Sequence, residues 1–140
     1  MNTCTIALIS RIRENANRLI LDELKKSGLD ELSPSHGDIL MILFHTNSIP
    51  MQEIAKKIHR TKATTTVLID KLEKIGFVKR TKSQEDSRYT NVILTKKGEE
   101  FKTIFEQISN KLNTTALKDI EECQIKELEK LLKKIRDNLE

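Results

Sequence analysis

Residues 61–76, with the sequence TKATTTVLIDKLEKIG, carry the strongest local signal in the chain. Small or apolar residues recur there at steps of four, four and three, as on one face of an α-helix, at Thr64, Leu68, Leu72 and Ile75. Thr61 suits the N-cap, because its hydroxyl oxygen can accept a hydrogen bond from an unpaired backbone N–H. Gly76 can adopt the left-handed conformation that ends a helix. The stretch therefore predicts a helix between these two residues.

The opposite face of the first two turns carries small or cationic side chains, namely Lys62, Thr65, Thr66 and Ile69. Side chains of this size can approach phosphates and thymine methyl groups without a steric clash. A strand is the alternative, since five of the six residues 64–69 are β-branched. The continuation DKLEK favours a helix, and a strand would have no single buried face. We therefore expect a helix that presents a polar face to DNA.

The positive charge of the chain is concentrated in its middle third. Residues 51–98 contain twelve Lys and Arg but five Asp and Glu, a net charge of +7, whereas the rest of the chain has a net charge of −3. A localised basic segment is typical of proteins that bind nucleic acid. The alternative is a lysine-rich surface that only keeps the protein in solution.

The length of 140 residues suits a single domain, residues 1–140. No apolar run approaches the roughly 20 residues that cross a bilayer, and the first residues lack the features of a signal peptide. The two cysteines, Cys4 and Cys123, are far apart and do not suggest a disulfide framework. We therefore expect a cytoplasmic protein without membrane contact.

Three helices are predicted before this stretch. Apolar spacing predicts a long helix over Cys4–Lys26, and Ser33, an N-cap residue followed by proline, predicts a second helix that ends near Thr46. A short third helix over Met51–Ile58 is joined by a tight turn to the helix of residues 61–76. Helix, tight turn and helix form the helix-turn-helix arrangement, in which the second helix enters the major groove.

A β-hairpin is predicted directly after this motif. Residues 77–81 (FVKRT) and 89–94 (YTNVIL) are rich in β-branched residues and flank a polar loop, KSQEDS, at residues 82–87. A hairpin beside a DNA-reading helix is a wing, and its tip can place an arginine in the minor groove.

Two further helices with apolar stripes are predicted in the C-terminal part. The first begins after the N-cap residue Thr95 and weakens around Asn113–Thr115, and the second covers about residues 120–139. The chain offers too few partners to bury these stripes and that of the first helix. We therefore expect a two-fold homodimer of paired terminal helices, which would place two reading helices on successive turns of DNA.

Three motifs resemble the MarR (multiple-antibiotic-resistance regulator) family of winged helix-turn-helix transcription factors. They are IDKLEKIGFVKR at residues 69–80, DSR at 86–88 and VILTKKG at 92–98. The resemblance implies a mainly α fold with a small β-hairpin wing, assembled as a six-helix obligate homodimer. Residues 1–32 and 99–140 would form the helical dimerisation region, and residues 33–98 the winged helix-turn-helix DNA-binding region.

The resemblance also implies roles for single residues. Arg88 would be the wing arginine that enters the minor groove, and Asp86 would orient it through a charge-assisted hydrogen bond. Many family members have an arginine where this chain has Val67, so one strong contact is missing that neighbouring cations could replace. The residues expected to contact DNA are Arg60, Lys62, Thr64, Thr65, Thr66, Lys71, Lys79, Arg80, Lys82, Asp86 and Arg88.

These observations predict a sequence-specific, dimeric, DNA-binding transcriptional regulator, a repressor acting on an inverted-repeat operator in double-stranded DNA. The resemblance implies release by a small aromatic or amphipathic effector. His36 lies close to where family members hold a ligand crevice and is the candidate ligand-binding residue. The alternative for His36 is a helix-capping or surface histidine.

Two other classes stay open from the sequence. A redox- or metal-responsive regulator of the same fold would use Cys4 or the three scattered histidines, although these show no metal-ligand clustering. A winged-helix protein–protein assembly module would need an apolar or acidic reading helix, which Lys62 and Lys71 disfavour. We expect no enzyme, because no nucleophile–base constellation or Gly-rich phosphate loop is present, and we expect no cofactor and no metal.

Overall fold

A computed structural model describes residues 3–140; Met1 and Asn2, which belong to the predicted dimerisation region, lie outside the described residues. The described part folds into helices α1 (Thr5–Lys26), α2 (Pro34–Thr46), α3 (Met51–Lys57), α4 (Lys62–Lys74), α5 (Lys96–Glu100), α6 (Lys102–Ala116) and α7 (Glu122–Leu139), and strands β1 (Ser48–Pro50), β2 (Val78–Lys82) and β3 (Thr90–Leu94). The prediction of a mainly α winged helix-turn-helix fold is confirmed.

The described residues form seven helices rather than the predicted six. The extra helix arises because the chain between β3 and α6 is interrupted at Phe101, whose backbone N–H donates to the Gly98 carbonyl at 3.2 Å. The Phe101 ring packs against the Phe77 ring with centroids 4.7 Å apart, which fixes the interruption over the core. The later break, expected around Asn113–Thr115, follows Ala116 instead.

The small sheet has three antiparallel strands in the order β1–β3–β2. The predicted hairpin is formed by β2 and β3, with Arg80 opposite Val92. Ile49 of β1 pairs with Val92 from the other side. Sequence reasoning missed β1, because a three-residue strand that ends in Pro50 gives no period-two pattern of its own. Its pairing joins the chain before α3 to the wing.

The core lies where α2 and α4 pack against the sheet, with the end of α1 and the start of α6 closing it. Its buried side chains include Leu24, Ile39, Leu40, Leu43, Ile54, Ile69, Leu72, Phe77, Val78, Val92, Phe105 and Ile108. Burying a large apolar side chain contributes about 1.5–3 kcal/mol relative to leaving it in water. This shared core holds the helix-turn-helix and the wing together as one lobe, which contains the predicted DNA-binding region.

The terminal helices, in contrast, keep large apolar side chains in contact with solvent. In α1, the loop before α7 and α7 these are Ile6, Leu8, Ile12, Leu21, Ile120, Leu128, Leu131, Leu132 and Leu139. No residue of α7 is buried, although the structure describes all of that helix. Among the described helices, none combines the length and the apolar character needed to span a bilayer.

Candidate nucleic-acid interface

The helix-turn-helix consists of α3, a tight turn and α4. His59 has a φ of 54°, which reverses the chain, and the Arg60 backbone N–H donates to the Ala55 carbonyl at 3.1 Å. Thr61 caps α4 as predicted, since its Oγ1 accepts a hydrogen bond from the Thr64 backbone N–H at 3.1 Å. The turn therefore fixes the start of α4, the part of a reading helix that comes nearest to the bases.

The buried face of α4 is rotated relative to the predicted one. Thr65, Ile69 and Leu72 are 1%, 0% and 0% exposed, whereas Thr64 is exposed. The prediction that Thr64 faces the core and that Thr65 and Ile69 face outward is therefore wrong. The buried residues Thr65, Ile69 and Leu72 are spaced by four and three, which fits one face of a helix as well as the predicted set does.

Thr65 can be buried because its hydroxyl is satisfied within the helix. Its Oγ1 donates to the Thr61 carbonyl at 2.8 Å, so no polar group is left without a partner. A buried side chain cannot reach a base edge, and Thr65 is withdrawn as a DNA contact. The sequence signal that could have shown this is the i, i+4, i+7 spacing of Thr65 with the apolar residues Ile69 and Leu72.

The outward face of α4 is formed by different residues. Lys62 and Thr64 are exposed in its first turn, Thr66 is half-buried, and the Val67 side chain is 67% exposed. The Thr66 hydroxyl donates to the Lys62 carbonyl at 2.9 Å, which leaves its oxygen able to accept a hydrogen bond. This face offers one cation, two hydroxyl oxygens and one apolar side chain to a partner.

Arg80 ties the wing to the reading helix, and we call this contact the Arg80 brace. Its Nη2 lies 2.7 Å from Asp70 Oδ1 and 2.8 Å from Glu73 Oε1. The Arg80 backbone N–H also donates to Glu73 Oε2 at 3.0 Å. The side-chain hydrogen bond with Arg80 lowers the pKa of Glu73 and, reciprocally, the one with Glu73 raises the pKa of Arg80.

The Arg80 brace changes the predicted role of that residue. A guanidinium held by two carboxylates has its charge and donors engaged inside the protein, so Arg80 is not available as the phosphate contact that was predicted. Sequence reasoning missed Asp70 and Glu73 as its partners. The signal was present, because two acids three residues apart on a helix face a basic strand that begins four residues after α4 ends.

Lys71 is likewise paired inside the lobe. Its Nζ lies 3.1 Å from Glu31 Oε2, in the connection between α1 and α2, and its side chain is one-third exposed. Lys71 lies one turn after Val67 on α4, and its ammonium group is directed toward Glu31. This ion pair engages the charge that the predicted DNA contact of Lys71 would use.

Two cations of β2 remain at the surface. Lys79 and Lys82 are exposed, and neither forms an ion pair with any residue that the structure describes. Arg60, in the turn before α4, is exposed as well. These side chains can reach a phosphate without first losing a partner.

The wing tip holds Arg88 in the geometry that was predicted for it. Its Nη2 donates to Asp86 Oδ2 at 2.7 Å, its Nε lies 3.1 Å from both carboxylate oxygens, and its backbone N–H donates to Asp86 Oδ1 at 3.0 Å. The Arg88 side chain is 81% exposed. The side-chain hydrogen bond from Arg88 lowers the pKa of Asp86, so the carboxylate stays charged and keeps the arginine oriented toward solvent.

His36, the candidate ligand residue, caps α2. Its Nδ1 accepts a hydrogen bond from the Ser33 backbone N–H at 2.9 Å, and the residue is 8% exposed. Burial lowers the pKa of His36, and the nearby charge of Lys71 lowers it further. A neutral imidazole with Nδ1 engaged at a helix end has the capping role, which was the stated alternative, and little of its surface is open to a ligand.

A cleft of about 490 Å³, which His36 does not line, lies between α1, α2, the end of α3 and the turn before α4. Its walls are Arg13, Asp38, Met41, Ile42, Lys57, Ile58, His59 and Arg60. Partial desolvation raises the pKa of Asp38, although the charges of Arg13 and Arg60 oppose this. The cleft combines an apolar wall with three cations and one acid. Sequence reasoning did not find it because its residues come from α1, α2, α3 and the turn before α4.

The residues considered for redox or metal sensing form no paired or clustered site in the described part of the chain. Cys4 and Cys123 are exposed and unpaired. Over residues 3–140, no three His, Cys, Asp or Glu side chains are grouped so that they could hold a metal ion.

Comparison with known proteins identifies the middle of the chain. Residues 32–90 match the model of the MarR family. Over 78 residues the chain is 36% identical to the uncharacterized HTH-type transcriptional regulator YfiV of Bacillus subtilis (strain 168), covering 55% of this chain and 49% of that protein. It is 41% identical over 69 residues to the HTH-type transcriptional repressor YetL of the same organism, covering 48% of this chain and 41% of that protein. The chain thus spans less than half the length of each of these relatives.

The likeness of the fold extends further than the likeness of sequence. A crystal structure of mutant MarR from E. coli complexed with operator DNA has a TM-score of 0.78 with this chain. The match is 26% identical and covers 92% of this chain and 91% of that chain. The terminal helices, which lie outside the family match, therefore also follow the fold of a protein solved on its operator.

Proposed function

This chain belongs to the MarR family, and from that premise we propose that it is a sequence-specific, dimeric regulator of transcription that binds an inverted-repeat operator. The observation that carries this proposal is the arrangement of Arg88. An 81% exposed arginine is held by Asp86 at the tip of a wing, and the Arg80 brace ties that wing to the reading helix. An oriented cation at this place suits the narrow, negative minor groove beside a major-groove contact.

The proposed DNA contacts are those cations and hydroxyls that the structure leaves at the surface. Lys62, Thr64 and Thr66 lie on α4, Lys79 and Lys82 lie on β2, and Arg60 lies in the turn. Phosphate contacts fix the register of a protein on the duplex, whereas base contacts select the sequence. We assign the lysines and Arg60 to phosphates and the outward face of α4 to bases.

The proposed dimer rests on the apolar surface of the terminal helices. Residues 3–32 and 99–140 carry exposed leucines and isoleucines along α1 and α7, and exposed apolar surface of this extent marks an interaction site. A two-fold dimer through these helices presents two lobes to DNA, with half-sites about 10 base pairs apart. We propose the division that the sequence predicts, with residues 33–98 as the DNA-binding region and the flanking helices as the dimerisation region.

Selection of bound duplexes from a random pool tests this proposal. We expect an inverted repeat, and we expect the affinity for it to fall steeply as salt rises, because each phosphate contact releases a counterion. Duplex binding that is absent at low ionic strength, or that does not respond to salt, would contradict DNA binding and favour the assembly module. A single unpaired half-site would contradict the dimeric arrangement.

We further propose that the protein is a repressor, acting in the cytoplasm, and that the cleft beside α4 takes its effector. YetL, one of the relatives above, is named a repressor. The cleft touches both α1 and the turn that positions α4, so an occupant can favour one spacing of the two lobes. A ligand shifts such an equilibrium only if it binds the two spacings with different affinities.

The walls of the cleft indicate the class of effector. Arg13, Lys57 and Arg60 can hold a carboxylate, while Met41 and Ile42 offer apolar contact, so we propose an aromatic carboxylate. We expect a series of benzoates to release the protein from operator DNA, and we expect the matching neutral benzamides, as controls, not to do so. The Arg13→Met variant should no longer respond to the benzoates. Equal release by acids and amides, or release that survives in Arg13→Met, would reject the cleft as the effector site.

A further inference from the structure

Val67 is an apolar residue on the solvent-exposed face of α4. Within the described part of the DNA-binding lobe, Val67 and Tyr89 are the large hydrophobic side chains that are exposed, at 67% and 41%. Tyr89 has a neighbour, since its ring lies 5.9 Å from the guanidinium carbon of Arg88. Val67 is not part of the hydrophobic core, and most of its side chain meets solvent.

The Val67 side chain points away from the core. It lies in the second turn, two residues from the buried Thr65 and two residues from the buried Ile69. With about 100° of rotation per residue, both of those side chains point about 200° away from it. The side chain therefore projects from the middle of the outward face, beyond the cap at Thr61 and beside Thr66.

The charges around Val67 indicate what kind of partner meets this face. Lys62 is exposed at the start of α4, five residues before it, and Lys74 is exposed two turns after it. The exposed Lys79 and Lys82 lie on the strand that the Arg80 brace ties to the same helix. Asp70, one turn after Val67, is paired with Arg80. An apolar side chain on a helix face whose unpaired charges are cations suits a polyanion that also offers an apolar group.

Duplex DNA offers one apolar group at the base edges of the major groove, the C5-methyl of thymine. An isopropyl group cannot form a hydrogen bond, so placing it against the polar edge of guanine, adenine or cytosine leaves that edge without the water it would otherwise bind. Contact with a methyl group avoids this cost and removes apolar surface from water.

We propose that Val67 reads a thymine methyl group in each half-site of the operator. This inference rests on the proposed function, since it assumes that α4 enters the major groove. It assigns a specificity-determining role to a residue whose neighbours on α4, Thr64 and Thr66, are polar. The preference for thymine at this position replaces the hydrogen-bonded contact that an arginine would make.

Replacing single thymines with uracil tests the proposal, because uracil lacks only the methyl group. The probe is the duplex selected from the random pool, with each thymine replaced in turn. We expect one thymine per half-site at which uracil weakens binding about fourfold, the value of one buried methyl-sized group. Val67→Ala should weaken binding to the thymine duplex by a similar factor and should remove the difference between thymine and uracil.

Lys79→Ala is the matched control. It should weaken binding to the thymine and uracil duplexes equally, so that the fourfold difference persists. Thermal unfolding of Val67→Ala should occur at the wild-type temperature or slightly above it, because the side chain is exposed and alanine has the higher helix propensity. A wild-type protein that binds the duplex but tolerates uracil at every position would overturn the proposal, as would a uracil effect that survives in Val67→Ala. Failure of the wild type to bind any duplex would instead overturn the proposed function, and with it this inference.

Discussion

Several polar side chains in this protein use their hydrogen bonds within their own helix. The Thr65 hydroxyl donates to the Thr61 carbonyl at 2.8 Å, and His36 accepts the Ser33 N–H at 2.9 Å. Both bonds allow a polar residue to be buried without leaving a donor or acceptor unpaired. Arg88 is the opposite case, because its partner Asp86 holds it in solvent. The side chains that we propose as DNA contacts are those that stay at the surface, as Arg88 does.

The His36 cap makes stability depend on pH. Since burial lowers the pKa of His36 below its ordinary value of 6.5, the unfolded chain takes up a proton at a higher pH than the folded chain does. Stability should be complete above pH 6.5 and should fall as the pH decreases toward the lowered pKa. Thermal unfolding at pH 7.5 and pH 5.5, at one protein concentration, should show a drop of a few degrees.

His36→Gln is the control for this effect. A glutamine at the same position can accept the Ser33 N–H through its side-chain oxygen and does not titrate. The variant should therefore keep the cap and lose most of the difference between the two pH values. An unchanged pH dependence in His36→Gln would assign the effect to another group.

Arg88 should contribute to DNA binding and not to folding. Because its side chain is 81% exposed, Arg88→Ala should leave the melting temperature unchanged and should weaken operator binding by about 1–3 kcal/mol. Affinity titrations with the selected duplex measure the first effect, and Arg88→Lys tests whether the planar guanidinium is needed or only the charge. Affinity equal to that of the wild type in Arg88→Ala would contradict the role of the wing.

At the level of elements, two junctions set the geometry of the DNA-binding lobe. The Arg80 brace joins β2 to α4, and the start of α5 joins the wing to the core. In the second junction the Thr95 hydroxyl donates to the Gly76 carbonyl at 2.5 Å and accepts the Gly98 N–H at 3.1 Å. The wing is therefore held at its base from two sides, while its tip stays in solvent.

The two basic residues of β2 should separate in experiment. Arg80→Met should lower the free energy of unfolding by about 1 kcal/mol, a modest value because its partner carboxylates are partly exposed. Lys79→Met should leave stability unchanged and should reduce the dependence of log K on log salt by about 1 per protomer. Denaturant unfolding and salt titrations distinguish them, and a lower salt dependence in Arg80→Met alone would reverse the assignment.

Gly98 should resist substitution because α5 lies directly on the wing base. A Cβ at this position would overlap the Phe77 carbonyl oxygen and would lie 2.7 Å from Leu94 Cδ1. Gly98→Ala should therefore cost about 1–3 kcal/mol of stability. Gly37 in α2 is the matched control, since a Cβ there meets only Phe105 Cε1 at 3.9 Å, and alanine should be neutral or stabilising. Equal stability of the two variants would contradict the close contact at α5.

The local parts of this fold could be predicted from sequence, whereas the contacts between elements could not. Thr61, Thr95 and Ser33 mark helix starts, and Gly76 marks a helix end, through short-range chemistry that a single stretch contains. Strand β1 was not predicted because it forms only by pairing with β3. The predicted buried face of α4 was wrong because a threonine can be buried once its hydroxyl donates a hydrogen bond to the preceding turn.

The whole molecule divides into a lobe with a closed core and terminal helices with open apolar faces. Leu128, Leu131 and Leu132 are 44%, 49% and 39% exposed along one side of α7. The lobe needs no further partner to bury its core, whereas the terminal helices do. The proposed dimer therefore joins the chains at the helices and leaves each lobe to DNA.

Leu131→Asp should disrupt that dimer, because a carboxylate would enter the apolar surface between helices. Sedimentation at micromolar concentration should show monomers, and operator binding should fall with the loss of the second lobe. Lys130→Asp is the control, since this residue lies on the opposite side of α7 and should leave the dimer intact. A dimeric Leu131→Asp would place the interface elsewhere.

The pairing of Arg88 with Asp86 could be predicted because the two residues are close in sequence. The partners of Lys71 and Arg80 could not be predicted, because they depend on contacts between separate elements. Lys71 meets Glu31 from a distant loop, and Arg80 meets Asp70 on another element. Counting basic residues cannot show which of them are already neutralised inside the fold.

Asp70 illustrates what this means for attempts to redirect the protein to a new target. It follows Val67 by one helical turn on the exposed side of α4, where a designer would randomise positions to change the recognised sequence, yet its carboxylate also anchors Arg80. Altering position 70 would therefore change the reach of the hairpin as well as the chemistry offered to the bases. Libraries that vary positions 70 and 80 jointly should yield more functional binders than libraries that vary position 70 alone.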